Sequence, residues 1–371
     1  MSRYTVYLDR CPQYDSENIY EVLQSALSVI PLLRKISGKI VIKPNLVLAH
    51  PRIATDGFTR AEVIESVLKL IESQAPDNTS IEIVEKAGLG VTTASMFRWA
   101  GYKKLTRKYP VRLCSMEESK QSILVLKNSK THKHITVSRS MADRDFLIFI
   151  PKLKTNVLFQ GYTGAMKLNM GSIDSRERIQ FHDYRLPQKI VDLLEYLNPD
   201  LIVTDGVRFS YGGNQMTQKG MNFGLIAVCT NAVAHDMVCA KLLGHEPMQI
   251  THIREAVERG YGPNSIFKRF PQLDVVIGKI EKKLNVSKVL LIGDCAQASV
   301  GIEADRVIRI KGCPPTHKRI IWDMMVKLFL LAPLVRPSLI IDGFILYPIK
   351  KLKGWLVNLN YKPLQRNCRE Q

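Results

Sequence analysis

KIVIKPNLVLAHPRIATDGFTRAEVIESVLKLIESQAPDNTSIEIV, residues 39–84, decides the fold. Lys39 to Ile42 is a short β-branched run, and a polar loop follows it. Thr59 can cap a helix through Ser73 that carries Val63, Val67, Leu70 and Ile71 on one face. A second β-branched run, Ser80 to Val84, closes the unit. Strand, crossover helix and strand in this order demand a parallel pair, because only a long connection returns the chain to the same end of a sheet.

The same alternation recurs along the chain. Further strands are predicted at Asp145 to Ile150, Leu201 to Thr204, Phe223 to Cys229, Lys288 to Ile292 and Val307 to Ile310. Helices are predicted from Asp15 or Ser16 through Ile30, over Pro187 to Leu197 and over Ala232 to Leu243, the last stopped by Gly244. Residues 112–139 alternate like a hairpin insert turning at Asn128 and Ser129. The expectation is an α/β core over residues 1–320, with a mostly parallel sheet, flanking helices and that small hairpin. Residues 321–371 form a carboxy-terminal segment, apolar and basic, read as a cap on the core. It is interrupted by Lys327, Arg336, Asp342 and Lys350 and by Pro333, Pro337 and Pro348, so no stretch approaches the ~20 apolar residues of a membrane span. An interfacial contact with a membrane, or with an acidic protein partner, is the competing use of this segment.

With 46% apolar and 23% charged residues the chain is ordinary globular material, which excludes large-scale disorder. Its 53 Lys+Arg against 34 Asp+Glu leave +19, a balance that attracts anions. No aromatic-rich stacking motif or zinc-knuckle spacing accompanies it, so nucleic acid ranks below small anionic ligands as the partner. Seven scattered cysteines without a C-x-x-C pair predict a reducing compartment. The start, MSRYTVYLDRC, is polar where a secretory segment would be apolar. Together these predict a cytoplasmic protein, with peripheral membrane contact as the variant.

In open α/β sheets ligands sit beyond the carboxyl ends of the strands, so the residues there are the functional candidates. Lys43 and Asn45 follow the first strand, and Pro44 fixes the turn so that ammonium and amide face outward. The loop 151–174, PKLKTNVLFQGYTGAMKLNMGSID, offers Lys152, Lys154, Thr155, Asn156, Thr163 and Lys167. Crowded lysines repel one another unless an anion neutralises them, and glycines let backbone amides approach it. These are the candidate substrate-binding residues. His182, Asp205 after LIVT, and His235 and Asp236 on the helix after FGLIAVCT are the candidate proton-moving groups. Cys295, Cys313 and His317 could hold a divalent metal or part of an iron–sulfur cluster, the alternative being buried unligated thiols.

KPN (43–45), PKLKTN (151–156), TGAMK (163–167), His182, PDLIVTDG (199–206), NAVAHDMVCAKLLG (231–244) and the GDC…GCPP turns, in this order, are similar to the family called domain of unknown function 362. The resemblance spans about residues 38 to 315. Members are often labelled iron–sulfur centre proteins, which implies a cluster. This chain lacks the ferredoxin-like insert many members carry, and has Asn156 and Asn231 where a histidine and an acid are usual. The leading expectation is an enzyme acting on a small anionic substrate, with a metal or cluster as an added centre; a non-catalytic metal or iron–sulfur carrier is the alternative, and a nucleic-acid-binding protein the third.

Overall fold

The computed structural model describes residues 4–50, 52–53, 55–156, 161–162, 164–212, 218–263, 288–292, 306–310, 341–359 and 364–367. The elements in chain order begin with β1 (Val6–Arg10), α1 (Ser16–Val29), β2 (Lys39–Pro44), α2 (Ala61–Gln74), β3 (Ser80–Glu85), α3 (Thr93–Trp99), α4 (Tyr102–Leu105) and β4 (Val111–Ser115). Next come β5 (Gln121–Val125), β6 (His134–Ser138), α5 (Arg139–Asp143), β7 (Phe146–Ile150), β8 (Lys152–Asn156), β9 (Gly161–Tyr162), α6 (Ala165–Leu168) and α7 (Ser175–Ile179). Then follow α8 (Leu186–Asp192), α9 (Leu194–Leu197), β10 (Leu201–Tyr211), β11 (Lys219–Cys229), α10 (Ala232–Leu242) and α11 (Thr251–Glu258). The last are β12 (Lys288–Ile292), β13 (Arg306–Ile310), α12 (Tyr347–Leu359) and β14 (Leu364–Asn367).

The central sheet runs β1-β11-β10-β7-β2-β3-β4. Its core β10, β7, β2, β3 and β4 is parallel throughout, and only β11 and β1 join antiparallel at one edge. The expected α/β class with a mostly parallel sheet and flanking helices is what the chain adopts. Strands covered on both faces read as continuous apolar runs, and FLIFI in β7 is buried at every residue. The period of two divides them between two cores. Ile40, Ile42, Phe146, Ile148 and Ile150 pack with α1 and α2, whereas Val41, Leu147 and Phe149 pack on the other face with residues of α8 to α11.

Helix starts follow local chemistry. Asp15 caps α1 by accepting from the amides of Glu17 (2.8 Å) and Asn18 (3.1 Å). Asn231 does the same for α10, accepting from Val233 (3.1 Å) and Ala234 (2.9 Å). Gly244 ends that helix region at φ 78°, the left-handed conformation glycine adopts without strain. Thr59 does not cap α2: its hydroxyl donates to the Ile150 carbonyl (2.7 Å) and accepts from the Asn45 amide (3.0 Å), tying β2 to β7.

The hairpin is β5 and β6, antiparallel, but it begins later than residue 112, because Val111–Ser115 joins the central sheet as β4. The carboxy-terminal residues meet this hairpin: β14 pairs parallel with β5, and Asn358 of α12 accepts from the Gln121 amide (3.2 Å).

Candidate functional site

From β2 the chain moves outward through β3 to β4, then returns to place β7 on the opposite side of β2. Strand order reverses between β2 and β7, and in such sheets the carboxyl ends at the reversal point form the ligand site. Lys43 ends β2, Glu85 ends β3, Lys152 and Lys154 follow β7, and Asp205 lies in β10 beside Lys152.

Lys43 does not face outward. It is 1% exposed and its ammonium donates to Glu85 (2.6 Å) and to the Pro44 carbonyl (3.0 Å). Burial lowers the Lys43 pKa and raises that of Glu85, each partner's charge countering the other's shift. Asn45 is likewise engaged, its amide donating to the Gly57 carbonyl (2.9 Å).

The segment expected as a lysine-rich loop begins as strand β8, so Lys152 and Lys154 project to the same side. Lys152 is fully enclosed: its ammonium donates to Asp205 Oδ1 (2.8 Å) and to the Tyr14 hydroxyl (2.7 Å). Tyr14 in turn donates to Asp205 Oδ1 (2.9 Å), and the Arg60 amide donates to Oδ2 (2.9 Å). Asp205 is thus an anchor inside a closed cluster. Thr155 accepts from the Gly212 amide (3.2 Å) and Asn156 pairs through its backbone with Gly161, while Thr163 lies outside the described residues.

Lys154 and Lys167 titrate lowest among the lysines of this segment. Burial, then the positive charges of Lys167 and Lys152, push the Lys154 pKa down to about 7, and burial alone brings Lys167 down to about 8. Lys167 sits on α6, and the turn immediately after it holds Asn169 and Ser172. Asn169 is 0% exposed with neither amide atom bonded, and the Ser172 hydroxyl is buried without a partner. Orphaned buried polar atoms cost about 1–3 kcal/mol each unless a guest meets them. The same turn is pressed onto the Lys43–Glu85 pair: a Cβ on Gly171 would collide with the Glu85 carboxylate and the Lys43 ammonium, so only glycine allows the approach. Arg178 fastens the turn by donating to the carbonyls of Met170 (2.8 Å), Ala87 (2.8 Å) and Lys86 (2.7 Å).

His235 and Asp236 are fully buried. His235 Nδ1 bonds Asp236 Oδ1 (2.7 Å), and its Nε2 contacts the Thr204 hydroxyl and Cys239 Sγ (3.4 Å). Desolvation opposes its protonation, but Cys239 and Asp236 together raise its pKa to about 10. Asp236 accepts from the amides of Ala165 (2.7 Å) and Met166 (3.1 Å), so it holds the start of α6, the helix that carries Lys167, in addition to any effect on its own helix. Gly164 makes room for that carboxylate. His182 is an exposed residue with Nδ1 3.2 Å from the Arg178 carbonyl; desolvation on its inner side, then Lys167 and Lys189, hold its pKa below the ordinary value.

Cys295, Cys313 and His317 lie outside the described residues. The strands before the two cysteines, β12 and β13, pair in parallel with Ile292 opposite Ile310. Among the described residues no group of three His, Cys, Asp or Glu side chains is arranged to hold a metal. Sequence reasoning overlooked Glu85, Asn169, Ser172 and Arg178. Glu85 was accessible to the same strand-end rule that selected Lys43; Tyr14 carried no signal, since it arrives from the first helix region.

Two solved structures are similar in fold: the lactate racemase apoprotein from Thermoanaerobacterium thermosaccharolyticum (8% identity, TM-score 0.41, 66% of this chain and 59% of that one) and a Thermotoga maritima protein (11%, 0.41, 96% and 85%). A thylakoid-associated protein of Synechocystis is 22% identical over 281 residues, 72% of this chain and 83% of that protein. The model of the family described as domain of unknown function (DUF362) matches residues 40–241, more than half of the chain, and the protein therefore belongs to that family.

Proposed function

We propose that the chain is an enzyme binding a small anionic substrate at the reversal point of the sheet, with Lys154 and Lys167 as its cationic contacts and Asn169 and Ser172 as its neutral ones. The observation that carries this reading is the orphaned Asn169–Ser172 turn that directly follows Lys167, whose positive charge in turn opposes that of the buried Lys154. An anion relieves both penalties at once. Lysines titrating near neutrality can also exchange protons with a bound substrate, and His182 at the surface can relay them to water. Lys43–Glu85, Lys152–Asp205 and His235–Asp236 act as the rigid frame.

The test is thermal melting with inorganic phosphate and succinate as probes. The wild type gains stability, and Lys154→Met and Lys167→Met lose most of that gain while remaining folded. Both lysines are charged below their folded pKa values, so anion affinity declines as pH rises through about 7 to 8. Equal ligand shifts in wild type and both variants, or an affinity flat across that range, would reject the site.

A second reading adds a metal or iron–sulfur centre at Cys295, Cys313 and His317, making the chain a carrier or giving the enzyme a redox group. It is supported by the in-register pairing of β12 with β13, since each cysteine follows three residues after the end of its strand. Anaerobically purified protein would then contain zinc, or iron with sulfide, lost together in Cys295→Ser and Cys313→Ser. Metal-free protein excludes this reading and leaves the anion site untouched. For location we propose the cytoplasm with peripheral contact to a membrane, which the name of the Synechocystis relative supports.

A further inference from the structure

Helical residues from 341 through the end of α12 lie on the protein the wrong way round. The polar side faces inward: Asp342 is 1% exposed, Lys350 and Lys353 bond Glu118 (2.9 and 2.8 Å), and Asn358 donates to the Ser119 carbonyl (3.1 Å). Gly354 lets the helix approach closely, because a Cβ there would overlap the Glu117 carbonyl. Outward stand Ile341, Phe344, Ile345, Ile349, Leu352, Trp355, Leu356 and Leu359, each between 49% and 58% exposed. Their spacing places them on one stripe of a helix, bordered by Lys351 on one side and Lys353 on the other.

We infer that this stripe is a docking surface for an anionic lipid bilayer, in which the helix lies flat at the headgroup boundary. Large apolar side chains aligned and exposed in this number mark an interaction surface, since isolated exposed residues are normal and contiguous ones are not. Apolar residues with a tryptophan beside an exposed lysine match an interfacial helix, in which Lys351 reaches headgroup phosphates while its stem stays among the apolar residues. The occupant is selected by charge. A second copy of a chain with net charge +19 would set one strongly basic molecule against another, whereas anionic headgroups neutralise it. No helix among the described residues is long and apolar enough to cross a membrane.

This inference gives the proposed peripheral location its surface. The test is co-sedimentation of the full chain with vesicles of phosphatidylcholine containing phosphatidylglycerol, against phosphatidylcholine alone. Wild type should pellet with the anionic vesicles and be released in part by raised salt; Leu352→Glu/Leu356→Glu should stay in the supernatant, with the single Ile349→Gln, at an exposed site, weakened several-fold and an unchanged circular dichroism spectrum. Pelleting of these variants like wild type overturns the surface while sparing the location. Absence of wild-type binding overturns both, and so does a dimer that the double variant dissolves while vesicle binding is nil.

Discussion

The lysines and acids at the carboxyl ends of the parallel strands have separate fates: Lys43 and Lys152 each bond a carboxylate directly, whereas Lys154 feels the cations Lys167 and Lys152 more strongly than the Glu85 carboxylate. Lys152 and Asp205 are each 0% exposed as side chains and only 2.8 Å apart. A buried pair of this kind adds little compared with an apolar replacement of both partners, but removal of one strands the other, a loss of about 3–5 kcal/mol. Lys152→Met is therefore expected to destabilise the fold by that amount in urea titration, whereas Lys154→Met, removing a charge that burial and two neighbouring cations already oppose, is expected to be neutral or stabilising without ligand. The sign follows from linkage. A lysine whose folded pKa is about 7 binds fewer protons than the unfolded chain between there and its ordinary value near 10.4, so it adds stability as pH rises through that window and costs stability below it. Equal destabilisation by the two substitutions would show that the lysines are not distinguished as the geometry requires.

At the scale of elements, the legible parts were those fixed by short-range pattern. Four of the five parallel strands of the core, α1 with its Asp15 cap, and α10 closed by Gly244 are predictable because β-branched runs, capping side chains and glycine stops act within a few residues. Two edge strands escaped. Val6–Arg10 is charged at Asp9 and Arg10 and only partly buried, and Val111–Ser115 was absorbed into the hairpin because a strand at the far edge of a sheet has the same alternation as a hairpin arm. The sequence of β8 reads as a loop because its alternation, Lys-Leu-Lys-Thr-Asn, puts lysines on the buried side. That is legible only once Asp205 and Glu85 are known to face them, a tertiary fact that periodicity cannot supply. The strand-end rule selects the candidate residues, of which Lys152 and Asp205, and His235 and Asp236, bond each other; which candidates are spent on internal pairs, and that Asn169 and Ser172 are left over, depends on contacts between residues far apart in sequence.

For the molecule as a whole, the helical residues that open the carboxy-terminal segment are fastened to the amino-terminal half at their start by the Asp342 carboxylate, ahead of the contacts of α12 with residues 117–121. Asp342 accepts from the Thr92 amide (2.7 Å), the Thr92 hydroxyl (2.7 Å) and the Ser95 hydroxyl, at the start of α3. A carboxylate at that end of a helix satisfies unbonded amides and complements the dipole. From this anchor α12 runs across residues 117–121 and continues to β14, which pairs with the hairpin strand β5. The hairpin therefore depends on residues more than two hundred positions later in the chain. Asp342→Ala leaves the Thr92 amide and the Ser95 hydroxyl without this acceptor, while the Thr92 hydroxyl keeps Ser95 Oγ (2.9 Å), a penalty of about 1–3 kcal/mol for each orphaned group that water cannot reach. The expected outcome is a loss of at least ~2 kcal/mol in global stability, with hydrogen exchange rising first at Gln121 to Val125, where α12 and β14 are docked, and with the amides of β2 and β7 protected as before. Uniform acceleration across the central sheet, or none in the hairpin, would mean that the carboxy-terminal helix is held by its other contacts and that Asp342 is not the anchor.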